Sequence, residues 1–321
     1  ENGTTYTFSG VEKIVPLKAS YQLSCEQAVA GMSAELTVTD GDGKPVSRAD
    51  IYQMNSAGED EKLGHTSLKG TFTRTFNEPG EYMFYAVKGN GRSWNQRVIV
   101  CERTKENNGK PFGILTNGVV APGTKSITWL TQIDGSAAAA QVKYSTAEDL
   151  SNPETKTGSS EIRTFVQNSR GDALRSSKVL LADLKPGTTY YCQVGDGTDA
   201  NWSESFSFTT PGESSKTNFF ILGDIQSSET EKLRRVLDIL KNNDTAYDFA
   251  LQTGDAIDNV TKYVENWRPF LNNVNGNTLG GVDMIHVLGN HEHYGDANGE
   301  ISKAVYDLPE SAQDSWYKME Y

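Results

Sequence analysis

Asn218-Phe219-Phe220-Ile221-Leu222-Gly223-Asp224-Ile225-Gln226, Asp248-Phe249-Ala250-Leu251-Gln252-Thr253-Gly254-Asp255-Ala256-Ile257-Asp258 and Met284-Ile285-His286-Val287-Leu288-Gly289-Asn290-His291-Glu292 share one plan. Each is an apolar run that stops at a glycine and continues into acidic, amide or imidazole side chains. Short apolar runs bounded by turn residues read as strands, and the first is expected to be buried on both faces of a parallel sheet. Between the first two runs, Ser228 followed by Glu231 is a capping-box signature, and Leu233, Val236, Leu237 and Leu240 recur at helical spacing. A second helix is expected within Tyr263 to Leu271. The order is therefore βαβαβ, whose right-handed crossovers bring the carboxyl ends of all the strands to one edge, where ligands gather.

Asp224 and Asp255 are 31 residues apart and Asp255 and Asn290 are 35 apart, so the sheet edge is what brings them together. A glycine ahead of each cluster lets the backbone turn sharply and approach a ligand. Turn or capping roles explain any one of these residues but not their joint order. Hard oxygen donors with one carboxylate able to bridge, completed by imidazoles, are what two cations about 3.5–4 Å apart require.

Together the clusters resemble the calcineurin-like metallophosphoesterase family, whose pattern runs D-x-H, G-D-x-x-D, G-N-H-E or D, then a later His and G-H-x-H. The resemblance implies two divalent or trivalent metal ions, with manganese, iron and zinc left open. Asp224 would bind the first metal, Asp255 both, and Asn290 the second through its amide oxygen. His291 would face the leaving group, with Asp258 as its orienting partner. Gln226 stands where the family has His, so the first metal would lose an imidazole and gain at most an amide oxygen. Asp258 also occupies the place of the purple acid phosphatases' tyrosine, so no tyrosinate site is expected. The activity implied is hydrolysis of phosphate mono- or diesters by a metal-bound hydroxide. The competing reading, favoured by Gln226, is a secreted or surface binding protein with a catalytically impaired metallophosphoesterase-like domain. No His follows His293, so residues 213–321 are expected to be the first half of that domain, with 315–321 leading onward as a strand. His286 reads as a structural strand residue and His293 as a loop residue.

Upstream, residues 107–212 carry β patterning. Leu184-Lys185-Pro186-Gly187-Thr188-Thr189-Tyr190 has the spacing of a tyrosine corner ahead of the strand Tyr190-Tyr191-Cys192-Gln193-Val194. With Ile127-Thr128-Trp129 and the closing stretch Trp202 to Thr210, this resembles the fibronectin III-like domain that precedes the catalytic domain of purple acid phosphatases. Trp129, Tyr190 and Trp202 are expected to pack in its core and corner. Residues 1–106 alternate in short strands such as Ala34-Glu35-Leu36-Thr37-Val38 and read as a first, Ig-like β-sandwich. Asp40-Gly41-Asp42-Gly43 lacks the alternating ligands of a calcium loop and reads as a turn. The fold class is thus multidomain: two β-sandwiches followed by an incomplete α/β metallophosphoesterase domain.

A net charge of −12 across 321 residues argues against a nucleic-acid partner, which would need clustered Lys and Arg. No apolar run approaches the roughly 20 residues needed to span a bilayer. A phosphorylated small molecule or surface-borne ester remains the expected substrate, and the sandwiches would contact carbohydrate or protein. Serial sandwiches favour a secreted or cell-surface setting, although the first residues, Glu1-Asn2-Gly3, do not open a signal peptide. Cys25 and Cys101 bracket the first module and leave one disulfide open there, whereas Cys192 reads as a buried strand residue.

Overall fold

The computed structural model describes residues 19–55, 59–118, 122–134, 139–198, 200–212, 216–226, 230–243, 245–274 and 281–308. Ser228, the expected helix cap, and the expected strand at 315–321 lie outside these residues. The chain forms two compact units: one comprises residues up to Asn77 with Glu81–Val98, the other Glu78–Gly80 with Ile99 onward.

In the first unit, β1 (Gln22–Cys25), β3 (Ser33–Thr39) and β6 (Thr71–Thr75) pair antiparallel; β2 is the short strand Ala28–Val29. β4 (Asp50–Met54) pairs antiparallel with β5 (Asp60–His65) and with β7 (Gly80–Lys88), which also carries β8 (Gly91–Arg92). Alternation along these strands buries Leu36, Val38, Ile51, Phe84 and Ala86. Asp40 closes the turn as read: its Oδ1 accepts the Asp42 and Lys44 N–H groups at 2.9 and 3.0 Å. β9 (Gln96–Arg103) carries the chain from this unit into the next.

The second unit opens with β10 (Phe112–Gly118), β11 (Lys125–Thr131), β14 (Ser159–Gln167) and β15 (Arg170–Leu181), paired antiparallel in the order β10-β11-β15-β14. A second antiparallel sheet runs β13 (Glu154–Thr157), β12 (Gln141–Ser145), β16 (Thr189–Gly195), β17 (Phe206–Thr209). Ile127, Trp129, Val142, Cys192, Val194 and Phe208 are buried together. Tyr190 makes the expected corner, its hydroxyl oxygen accepting the Lys185 N–H at 3.0 Å.

β18 (Phe219–Leu222), β19 (Phe249–Gln252) and β20 (Asp283–His286) then form a parallel sheet in that order, with Phe219, Phe249 and Asp283 in one row. The helices are α1 (Thr230–Lys241), α2 (Arg268–Val274), entered through a π-helical turn at Tyr263–Trp267, and α3 (Glu300–Tyr306). This mixed α/β region shares one core with the preceding strands: Leu115, Leu130, Phe165 and Leu174 pack with Ala250, Trp267, Phe270 and Met284. Polar ties reinforce it. Lys125 and Asp283, with side chains 3% and 2% exposed, form an ion pair, and the Thr128 hydroxyl donates to the Val305 carbonyl at 2.9 Å.

Two expectations need correction, and the disulfide left open is resolved. β18 is not buried on both faces, because Phe219 and Ile221 are 48% and 58% exposed; Leu222 joins the core, and the described residues cover that side alone. On α1, Leu233 and Leu237 are buried and Leu240 packs half-buried against the same core, but Val236 is exposed, so the stripe is narrower than expected. All three cysteines are free thiols. Cys101 is buried in the second unit beside Asp172, where burial pushes its thiol up to about 12, and Cys25 belongs to the first unit.

Candidate functional site

The site is built where β19 and β20 end. Gln252, the last residue of β19, is buried and folds back on the chain: its amide donates to the Gly254 carbonyl at 2.7 Å, and its Oε1 accepts the Gly254 N–H at 2.9 Å. The turn this locks needs a left-handed backbone, and Gly254 has φ 103° with Asp255 following at φ 55°. A Cβ on Gly254 would meet the Gly289 Cα at 2.8 Å, and one on Gly289 would run into Asp255 Oδ1. The two loops therefore touch backbone to backbone, which only glycine permits.

That contact brings Asp255 to His291, whose N–H donates to Asp255 Oδ1 at 3.0 Å. From β18, Gln226 joins them: its N–H donates to the Asp255 carbonyl at 3.0 Å, and its Nε2 lies 3.4 Å from His291 Nε2. Gln226 also has a left-handed backbone, φ 41°. His291 Nδ1 sits 2.7 Å from the Asp258 carbonyl oxygen and 3.6 Å from its carboxylate. A carbonyl can only accept, so the neutral ring holds its proton on Nδ1 and turns the Nε2 lone pair toward the Gln226 amide. Asp258 thus meets His291 chiefly through its backbone, and its carboxylate is half-exposed.

Asn290 is exposed and donates from its amide to the Tyr294 hydroxyl at 3.0 Å. Tyr294 in turn lies against the His291 ring, centroids 4.6 Å apart. Asp224 is exposed past the end of β18, two residues before Gln226. The edge therefore gathers Gln226, Asp255, Asp258 and His291 in direct contact, with Asp224 and Asn290 on the same loops beside them. His286 is fully buried in β20, stacked 3.4 Å from the Tyr306 ring, and burial pushes its pKa down to about 3. His293 Nδ1 lies 3.2 Å from the Ala297 carbonyl, within its own loop.

One residue was missed by sequence reasoning. Glu292 is completely buried, and its carboxylate accepts the N–H groups of Asp255, Ala256 and Gly289 at 2.9, 2.9 and 2.8 Å. The signal available was the acidic letter closing G-N-H-E, directly after the ligating positions.

The donors do not fit a two-metal centre as the described residues hold them. No group of three His, Cys, Asp or Glu side chains that could hold a metal ion occurs among the described residues. One Asp255 oxygen is taken by the His291 N–H, and the Gln226 amide nitrogen, not its oxygen, faces His291.

Residues 113–210 match the model of the purple acid phosphatase N-terminal domain, and residues 217–318 that of calcineurin-like phosphoesterases. Residues 217–318 thus form a domain of the calcineurin-like phosphoesterase type, preceded over residues 113–210 by a domain of the type found at the N-terminus of purple acid phosphatases. Among solved structures, it is similar to the purple acid phosphatase PPD1 from yellow lupin (Lupinus luteus) seeds, at 14% identity and a TM-score of 0.52, over 95% of this chain. It spans 65% of that enzyme's length. The structure of PhoD aligns at 11% identity over 60% of this chain and 41% of its own, with a TM-score of 0.42. No curated protein matches the chain. Among the described residues, no helix is long and apolar enough to cross a membrane.

Proposed function

We propose that the chain is part of a secreted or cell-surface protein whose metallophosphoesterase-like domain binds phosphate esters and is impaired in turning them over. The observation that carries this reading is Gln226: a neutral amide stands where the family places an imidazole, and its nitrogen faces His291. An amide is a weaker metal donor than imidazole, and a donor set short of one strong ligand holds its first metal poorly. Residues 1–106 and 107–212 are read as Ig-like and fibronectin III-like sandwiches that present this domain and contact carbohydrate or protein. Residues 213–321 are read as the first half of the phosphoesterase domain.

The second reading is a working two-metal hydrolase of phosphate mono- or diesters, with manganese, iron or zinc. It is favoured by His291, whose ring is oriented by the Asp258 carbonyl and whose N–H is tied to Asp255. A fixed imidazole at that place can stabilise charge on a leaving oxygen.

Metal content and hydrolysis of an aryl phosphate and a bis-aryl phosphate, measured on the full natural protein with manganese or zinc added, separate the two. The impaired domain predicts fewer than two metals per chain, and a gain of both metal and turnover in Gln226→His. Two tightly held metals, with hydrolysis abolished in Asp255→Asn, would instead establish the hydrolase.

A further inference from the structure

We propose that Glu292 is a positioning residue, whose carboxylate gathers backbone N–H groups from both rim loops and thereby fixes Asp255 and His291. Two of the three donors, Asp255 and Ala256, come from the loop after β19, and the third, Gly289, from the loop after β20. Oε2 accepts Asp255 and Gly289 together, so a single oxygen staples one loop to the other. The carboxylate is shut away from water and has no Lys, Arg or His ion pair among the described residues. Three backbone N–H donors converge on its two oxygens, and hydrogen bonds to a carboxylate are about twice as strong as neutral ones.

The staple sits where the backbone most needs it. Asp255 is a non-glycine residue in the left-handed region, a conformation that persists only where its surroundings over-determine it. Its N–H goes to Glu292, its carbonyl accepts Gln226 N–H, and its Oδ1 accepts His291 N–H. Release of the first bond frees the Asp255 backbone to relax, and the His291 contact depends on that backbone. The proposal rests on the rim being the functional surface, but neither turnover nor metal binding is needed to test it.

The chemistry of the variants is asymmetric. Glu292→Gln turns one acceptor oxygen into a donor, so at least one of the three N–H groups must lose its partner whichever way the amide faces. Glu292→Asp keeps both acceptors on a side chain one methylene shorter. Amide hydrogen exchange in the full chain is the measurement, with Ala250 in the middle of β19 as the internal reference. In Glu292→Gln, exchange at Asp255, Ala256 or Gly289 is expected to rise at least tenfold relative to Ala250. The ¹⁵N shifts of the His291 ring are expected to move away from the Nδ1–H tautomer. Glu292→Asp should recover part of both effects, and it serves as the test if the Gln variant does not fold. Unchanged rim exchange in a folded variant, or a rise matched at Ala250, would overturn the proposal. Because these readouts do not involve hydrolysis, their outcome is separate from that of the phosphate-ester reading.

Discussion

The two ends of β20 are held by opposite means. At its start, Asp283 is buried against Lys125 of β11, with the Lys125 ammonium 4.8 Å from the centre of the Phe208 ring. At its end the chain enters a loop whose Gly289, three residues past His286, meets the left-handed Gly254-Asp255 turn glycine on glycine, with the buried Glu292 carboxylate accepting backbone N–H groups from both loops. The foot is ordinary burial plus one charge pair, which any well-packed structure could use. The rim is strained and polar, as expected where a structure gives up local stability to aim side chains. If this contrast holds, changes at the foot should cost stability and leave the rim's geometry alone.

The largest effect is expected from breaking the foot's ion pair. Lys125→Met leaves the Asp283 carboxylate buried without its cation, a change that generally costs about 3–5 kcal/mol. The double variant Lys125→Met/Asp283→Leu removes both charges and should regain most of that loss. Urea unfolding at neutral pH measures both. In the double variant, the exchange rates of Asp255 and Gly289 amides should match the wild type; faster rim exchange would show that the two ends are not separable.

The same contrast explains what the sequence disclosed. Gly254-Asp255 and Gly289-Asn290-His291 were legible because glycine, acid and imidazole at strand ends are rare outside sites and turns, and the parallel order of three strands dictated that they meet. The corner at Tyr190 was legible from its distance to Pro186. Lys125 with Asp283 was not, since the partners are 158 residues apart and nothing local marks either as paired. Glu292 was visible as a letter of the rim pattern, but its bonds run to backbone, which has no letter. The half-covered face of β18 was misjudged for a related reason: an apolar run reports what a strand can bury, and its coverage is set by other segments.

His286, the last residue of β20, gives the contrast a pH axis. Burial holds its folded pKa near 3, while an unfolded chain titrates it at about 6.5. Below about pH 6.5 the unfolded state therefore takes up a proton that the folded state refuses, and stability falls by about 1.4 kcal/mol per pH unit until the folded pKa is reached. At pH 5 this amounts to about 2 kcal/mol relative to neutral pH. His286→Phe keeps a ring to stack on Tyr306 and removes the titration, so its unfolding free energy should drop less than the wild type's between pH 7 and 5, by that amount. Equal pH slopes for the two proteins would mean that His286 is protonated in the folded state, and that the carboxyl end of β20 is open to water.

The smallest effect belongs farthest from the rim. Tyr190→Phe removes the hydroxyl that accepts the Lys185 N–H and leaves the ring stacked on Phe208, 5.6 Å between centroids. One neutral hydrogen bond in a partly buried corner is generally worth about 1 kcal/mol net, since water replaces it in the unfolded chain. Urea unfolding should show that loss, with no change in exchange at Ala256 or in the His291 ring signals. The corner lies in a different sheet from β20 but in the same compact unit, so it tests how far the foot's independence extends. A rim response to a lost hydroxyl in the β16 sheet would require strain to travel through the shared packing around Lys125 and Phe208, and would make the foot part of the site.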